Sequence, residues 1–299
     1  MSSIRACGWP EDLLLSSSLS AFRPGPLASF ARMARREPDL ALGLMLLALV
    51  ALVVAAPGLF TAHSPLAISV DKAMEPPSAA HLFGTDDVGR DILARVVHGA
   101  RVTLSICATA LVAAAAIGGA FGLVSGFVGG RLDMVLGRLV DVVLSFPPII
   151  LGVMITGILG PKTANLIFAL AVVYVPLFFR VARSGAMAEA GLTYVEAARS
   201  IGLSEPAIML RHVTRNVLPL ILVQCMVLFP LVLQIQSALG FLGLGVQPPT
   251  PDWGAILQQG KDYILLAPWI SAFPGLAILV TALALMLVGR GLQRRLDRR

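Results

Sequence analysis

Along this 299-residue chain the apolar positions gather into six long runs, parted by polar stretches of very different length. The runs lie near Leu40–Phe60, Val102–Val128, Leu139–Leu159, Ala164–Phe179, Val217–Leu239 and Ile270–Val288. A helix of about 20 apolar residues crosses a hydrocarbon layer roughly 30 Å thick, and these runs approach or exceed that length. The pattern predicts an all-α integral membrane protein with six transmembrane helices. Only Gly160-Pro161-Lys162-Thr163 parts the third run from the short fourth, which reads as a tight helical hairpin. The expected organisation is an N-terminal segment 1–39, a first helix 40–60, an outer loop 61–101, a five-helix core 102–288 and a basic tail 289–299.

Composition supports this reading, since 57% hydrophobic and 13% charged residues do not describe a soluble domain. The distribution of positive charge gives an orientation. With the N-terminus inside, residues 1–39, 129–138, 180–216 and 289–299 carry 5, 2, 5 and 5 of the 23 Lys and Arg. Positive residues accumulate on the cytoplasmic side, so both termini and the 180–216 segment are expected there. The net charge of +6 then needs no nucleic acid; topology and attraction to anionic membrane lipid account for it. Arg5 and the Leu/Ser-rich stretch Leu13 to Leu19 superficially resemble a secretory leader. Glu11-Asp12 interrupts the basic region, the apolar run is short and no small-residue cleavage site follows, so that reading is rejected. Met33 is an alternative start that would place Arg35-Arg36 directly before the first span.

The longest polar stretch with helical character is Tyr194 to Asn216. Glu196-Ala197-Ala198 is a compact helix-forming unit, and Gly202, six residues after the glutamate, suits a helix end and a sharp turn. Ser204 is placed to cap a second short helix, and Pro206 is tolerated in its first turn. Glu196, Arg199 and Arg211 supply polar edges; Leu203, Ile208, Met209 and Leu210 supply apolar area around the bend. On residue types alone this helix, bend, helix unit suits docking to a partner and lying on the membrane surface equally.

Elsewhere the chain offers little catalytic chemistry. Charged groups are scarce in the runs; Asp141, near the start of the third, is expected to reach water or Arg138. There are no paired carboxylates, nucleophile and base pairs or HExxH spacing in or near the insert, so no catalytic residue is assigned. Cys7, Cys107 and Cys225 are far apart, and the latter two read as small packing residues. His63, His81 and His98 all fall in the outer loop, where a shared metal site is the alternative reading, but their scattered spacing assigns no metal. Asp91 and Arg95, four apart, are expected to pair as an exposed couple on a helix along the outer face. Gly240, Gly243 and Gly245 before Pro248-Pro249 and Pro251 indicate a folded loop after the fifth run, with Trp253 as an interfacial anchor. Gly118, Gly122 and Gly126 recur every four residues, with Gly130 in step and Gly119 beside them. Such a stripe lets helix backbones approach closely in lipid, against this chain's own helices or a second subunit.

The run EAARSIG, followed ten residues after Gly202 by His212, resembles the EAA loop of binding-protein-dependent ABC importer permeases. Two longer stretches narrow the resemblance: HLFGTDDVGRDILARVVHGARVTLS from His81 to Ser105 and SALGFLGLGVQPPTPDWGAIL from Ser237 to Leu257. With the EAA loop, within 190–216, they identify the chain as similar to the C-type subunit of the dipeptide, oligopeptide and nickel permease family. The resemblance implies six helices of the type I importer kind in a bacterial inner membrane. It maps Glu196, Ala197, Ala198, Gly202, Leu203 and His212 onto the coupling element that sits in a groove of a cytoplasmic ATPase. One departure is plain: Val213-Thr214-Arg215-Asn216 stands where the family commonly has an apolar residue and Leu-Pro-Asn after its histidine.

The chain has no GxxxxGK[ST] phosphate loop; Gly260-Lys261 continues with Asp262 and lacks the earlier glycine. By the resemblance, ATP and Mg belong to two separate ATPase subunits, and no cofactor is expected on this chain. A homologous second permease and an external solute-binding protein complete the implied importer. Peptides are the expected cargo, with nickel or another small solute as the alternative. A secondary transporter or a membrane-embedded enzyme would need ionisable or catalytic groups within the spans, which are scarce.

Overall fold

The computed structural model describes residues 37–296. Among them the fold is all-α, with one isolated bridge between Thr85 and Asp91 and no strand. The leader-like stretch, Met33, Cys7 and the end of the basic tail lie outside the described residues. Ten helices follow in order: α1 (Pro38–Ala55), α2 (Ile92–Val128), α3 (Gly130–Leu144), α4 (Pro148–Leu159), α5 (Thr163–Ala190), α6 (Thr193–Ser200), α7 (Glu205–Ile208), α8 (Thr214–Phe241), α9 (Trp253–Gly260) and α10 (Trp269–Leu296). A π turn over Met209–Val213 joins α7 to α8. Five helical stretches are long and apolar enough to cross a membrane, or six with the bent pair α3 and α4 taken as one span.

The helices end where backbone chemistry ends them, which is not always where hydrophobicity does. The first stops at Ala55, ahead of the expected Phe60, because Pro57 pushes Ala56 out of helical geometry. The second begins ten residues earlier than Val102, where the Asp91 carboxylate accepts from the Ala94 amide and caps it. Instead of running straight over Leu139–Leu159, the third span is broken: α3 and α4 meet at 87° around Pro147-Pro148, which lack amide donors. The fourth outruns Phe179 to reach Ala190, since Arg180, Arg183 and Glu189 end the apolar run without disfavouring the helix. The hairpin between α4 and α5 is present, turned at Gly160 with φ +87°.

The centre of the bundle is the seam between α2 and α5. Side-chain atoms added at Gly118, Gly122 and Gly126 would lie 2.4, 2.3 and 2.2 Å from the carbonyl oxygens of Val175, Phe179 and Arg183. The stripe thus faces this chain's own α5, backbone against backbone, because dispersion at close range replaces hydrophobic burial in lipid. Residue numbers rise together on both helices, so α2 and α5 run parallel. Gly119 turns instead toward Ile221 of α8, and Gly130, at φ +62°, lies beyond the seam in open space. On the outside of the bundle α1 packs on α10, with Gly43 against Leu287 and Gly291 against Leu40. Parallel packing of α2 and α5 has a consequence for the polar segments. The stretch before α2 and the insert after α5 lie at opposite ends of the bundle.

Candidate functional site

The insert forms the predicted helix, bend, helix unit. α6 ends at Ser200, and Gly202 takes φ +84° in open space, the left-handed turn that favours glycine. Ser204 precedes α7, but its side chain makes no capping bond. Arg199 takes over the job of closing the bend: its Nε and Nη2 donate to the two carboxylate oxygens of Glu205 at 2.9 and 3.2 Å. The same guanidinium lies 5.8 Å from the ring centre of Phe127, at the end of α2.

One side of the unit is anchored in the bundle and the other is free. Val195, Ala198, Ile208 and Val213 are buried against Leu123, Ala182, Ala186 and Val217. Ile208 therefore belongs to the core, contrary to its expected place on the contact surface. Glu196, Ala197, Gly202, Leu203 and His212 are exposed, as is Ile201 at 78%. Ala198, read from the sequence with the coupling residues, faces inward instead. The sequence reading passed over Ile201, although an isoleucine flanking a bend glycine in a polar stretch was the available signal.

A second tie holds the unit to the bundle. Glu189, at the end of α5, accepts from the Tyr194 hydroxyl at 2.5 Å and from the Asn216 amide at 2.8 Å. Burial, followed by that hydrogen bond to Glu189, raises the Tyr194 phenol above its ordinary pKa and keeps it protonated as the donor. His212 lies in the π turn, its ring centre 6.3 Å from that of Tyr194. Thr214 donates to the Met209 carbonyl at 2.9 Å. The chain beyond His212 thus stays helical into α8 despite lacking the Leu-Pro pair, and Asn216 still reaches the insert. Glu189 was not singled out in the sequence because its partners stand 5 and 27 residues away.

The opposite end carries a folded cap, residues 56–91, seated on α9 and the start of α10. The expected exposed pair between Asp91 and Arg95 does not form. Arg95, 1% exposed, donates from Nη1 to Asp86 at 2.8 Å and from Nη2 to Gln259 at 2.9 Å, and Arg90 Nε joins the same Asp86 oxygen at 2.6 Å. Asp91 is committed to the Ala94 amide and to His81. Trp253 is likewise no interfacial anchor: it is 3% exposed and donates from Nε1 to the Val96 carbonyl at 2.8 Å. The loop after α8 closes on Asp252, whose carboxylate accepts from Thr103, Gln236 and the Ala255 amide at 2.6, 2.9 and 3.2 Å. Burial raises the Asp252 carboxyl above the usual range, and these hydrogen bonds offset part of that.

Along the flank, Asp141 pairs with Arg180 at 3.0 Å and not with Arg138. Asp133 receives Arg183 and the Ser125 hydroxyl. These pairs pin the amphipathic α3 to α5.

Among the described residues, the chain is thus a bundle of membrane-length helices with a buried polar cap, a glycine-seamed core and an exposed bent insert at the far end. The family described as "Binding-protein-dependent transport system inner membrane component" matches residues 118–299, and the chain belongs to it. It is 36% identical over 290 residues to a probable D,D-dipeptide transport system permease protein of Escherichia coli (strain K12), covering 95% of this chain and 97% of that protein. It is 40% identical to a di/tripeptide transport system permease protein of Pseudomonas aeruginosa, covering 76% and 77%. It is 35% identical to a glutathione transport system permease protein of Pectobacterium atrosepticum, covering 89% and 88%. The chain is thus a permease subunit of the inner membrane that works within a transport complex, and not itself an enzyme.

Proposed function

We propose that this permease is half of the translocation pore of an ATP-driven importer of dipeptides or oligopeptides. A homologous second permease supplies the other half, an external solute-binding protein delivers cargo, and two cytoplasmic ATPase subunits hold ATP and Mg. The peptide cargo rests on the names of the relatives at 36 to 40% identity. Both termini and the α6–α7 insert face the cytoplasm, as the distribution of Lys and Arg favours.

The observation that carries the reading is the insert's two-sidedness. Glu196, Ala197, Ile201, Gly202 and Leu203 present a small exposed surface, while Val195, Ala198 and Ile208 fix its other side to the ends of α2, α5 and α8. A surface gripped by an ATPase and rigidly joined to three spans passes a displacement into the pore without dissipating it. Coupling then arises because the ATPases contact this surface differently in their two states.

Glu196→Lys and Gly202→Pro test this. Both are expected to leave the protein in the membrane and to abolish co-purification with the ATPases and ATP-dependent peptide uptake in proteoliposomes. Glu196→Lys leaves thermal unfolding unchanged, whereas Gly202→Pro, which cannot adopt φ +84° and loses the amide hydrogen bond to the Arg199 carbonyl, lowers it. Normal co-purification and uptake in either variant would remove the insert from the coupling path.

A further inference from the structure

The cap brings two of the three outer-loop histidines together, with Asp91 in place of His98. His63 follows the turn that ends the first span, His81 sits in the middle of the cap, and Asp91 caps α2. One ring nitrogen from each histidine and one carboxylate oxygen of Asp91 all lie within 4.8 Å of one another. The two rings are 5.1 Å apart between centres and tilted by 36°. His98, the third histidine of this part of the chain, faces away and bonds the Ala94 carbonyl.

Hydrogen bonds already orient both imidazoles. His81 Nδ1 lies 2.9 Å from Asp91 Oδ2, and His63 Nε2 lies 3.2 Å from the Ala80 carbonyl oxygen. A carbonyl accepts only, so His63 Nε2 carries the proton and its Nδ1 keeps the lone pair. A carboxylate likewise holds the proton on His81 Nδ1 and leaves the lone pair on Nε2. Metal-binding histidines are typically held in this way, with the second nitrogen donating to a carbonyl or carboxylate.

We propose that His63, His81 and Asp91 form a binding site for a divalent transition-metal ion, which staples the segment after the first span to the cap. Two imidazoles and one carboxylate suit zinc, nickel or copper; calcium and magnesium prefer shells of oxygen. Asp91, already beside the His81 ring, supplies the neutralising carboxylate. Tetrahedral ligands about 2.1 Å from zinc stand about 3.4 Å apart, so the cluster must contract by a little over 1 Å. The exposed His63 is free to make that move, while His81 and Asp91 are buried and fixed. Cargo recognition has no part in this site, and the proposal stands apart from the peptide reading.

The test uses the full-length protein in nanodiscs with a purification tag that lacks histidine. Zinc titration by calorimetry is expected to show one saturable equivalent per chain, unaffected by excess magnesium. His63→Ala, at an exposed position, is expected to weaken zinc at least about tenfold and to erase the rise in melting temperature that zinc produces. His98→Ala is expected to change neither. Absence of saturable binding, or a His63→Ala titration that overlays the unsubstituted protein, would overturn the proposal.

Discussion

At one end of the bundle Asp86 and Arg95 are each 1% exposed and share hydrogen bonds with Arg90 and Gln259; at the other, Arg199 and Glu205 pair with 40% and 56% exposure. Both are ion pairs beside a membrane, and chemically they are the same. Their energetics differ because charges taken out of water depend on their partners, whereas solvated charges are largely screened. The cap is therefore a buried network in which Asp86 and Gln259 each hold two guanidinium groups, although the Arg95 Nε itself finds no partner. The insert is rigid only on its inward side, and its outward side keeps charge and apolar area available. The proposed coupling to an ATPase uses that asymmetry, with a fixed end to work against and an accessible end to be moved.

The sharpest way to break the comparison is Arg95→Ala. It removes the shorter of the two donors to Gln259, one of the two guanidinium groups on Asp86 and a fully buried side chain, and leaves Asp86 paired with Arg90 alone. A loss of about 2–4 kcal/mol in unfolding free energy is expected from the lost charge-assisted hydrogen bonds and buried packing, read by detergent-denaturant titration. Gly122→Ala asks how much of the linkage between the two ends depends on the α2–α5 seam. Its methyl would meet the Phe179 carbonyl oxygen, a backbone atom that cannot swing away. About 1–3 kcal/mol should be lost by the same titration.

Smaller effects belong to the insert. Gly202→Ala meets no neighbour but forces a Cβ into left-handed backbone, costing roughly 1–2 kcal/mol, and Gly202→Asn should recover part of that. Arg199→Ala sharpens the contrast from the weak side. Its exposed pair with Glu205 is expected to leave the melting temperature unchanged, and raising the salt should change the unsubstituted protein just as little. A melting shift comparable to that of Arg95→Ala would show that the two ends are built alike.

Much of this fold could be read in the sequence, because it follows from short-range chemistry. Membrane insertion depends on stretches of side chains, and the bend at Gly202 on one residue's tolerance of positive φ. Boundaries were less legible where hydropathy and helix propensity part company. Arg180, Arg183 and Glu189 closed an apolar run yet continued α5, while Pro147-Pro148 broke an apolar run that looked continuous. The bent insert was legible as a segment but not face by face. Ile208 and Ala198 turned inward and Ile201 outward, which depends on where α2, α5 and α8 come to rest.

The sequence by itself determined a membrane-embedded, all-helical chain with a bent polar insert, since solvation and backbone preference act over a few residues at a time. Only tertiary structure decided what the polar groups pair with. Spacing along a helix offered Arg95 to Asp91, but the folded cap delivered it to Asp86 and Gln259, and gave Asp91 to His81. The reason is that burial makes a charge choose the partner that desolvates with it, and in the cap those partners are set by packing against α9, more than 160 residues away in the chain.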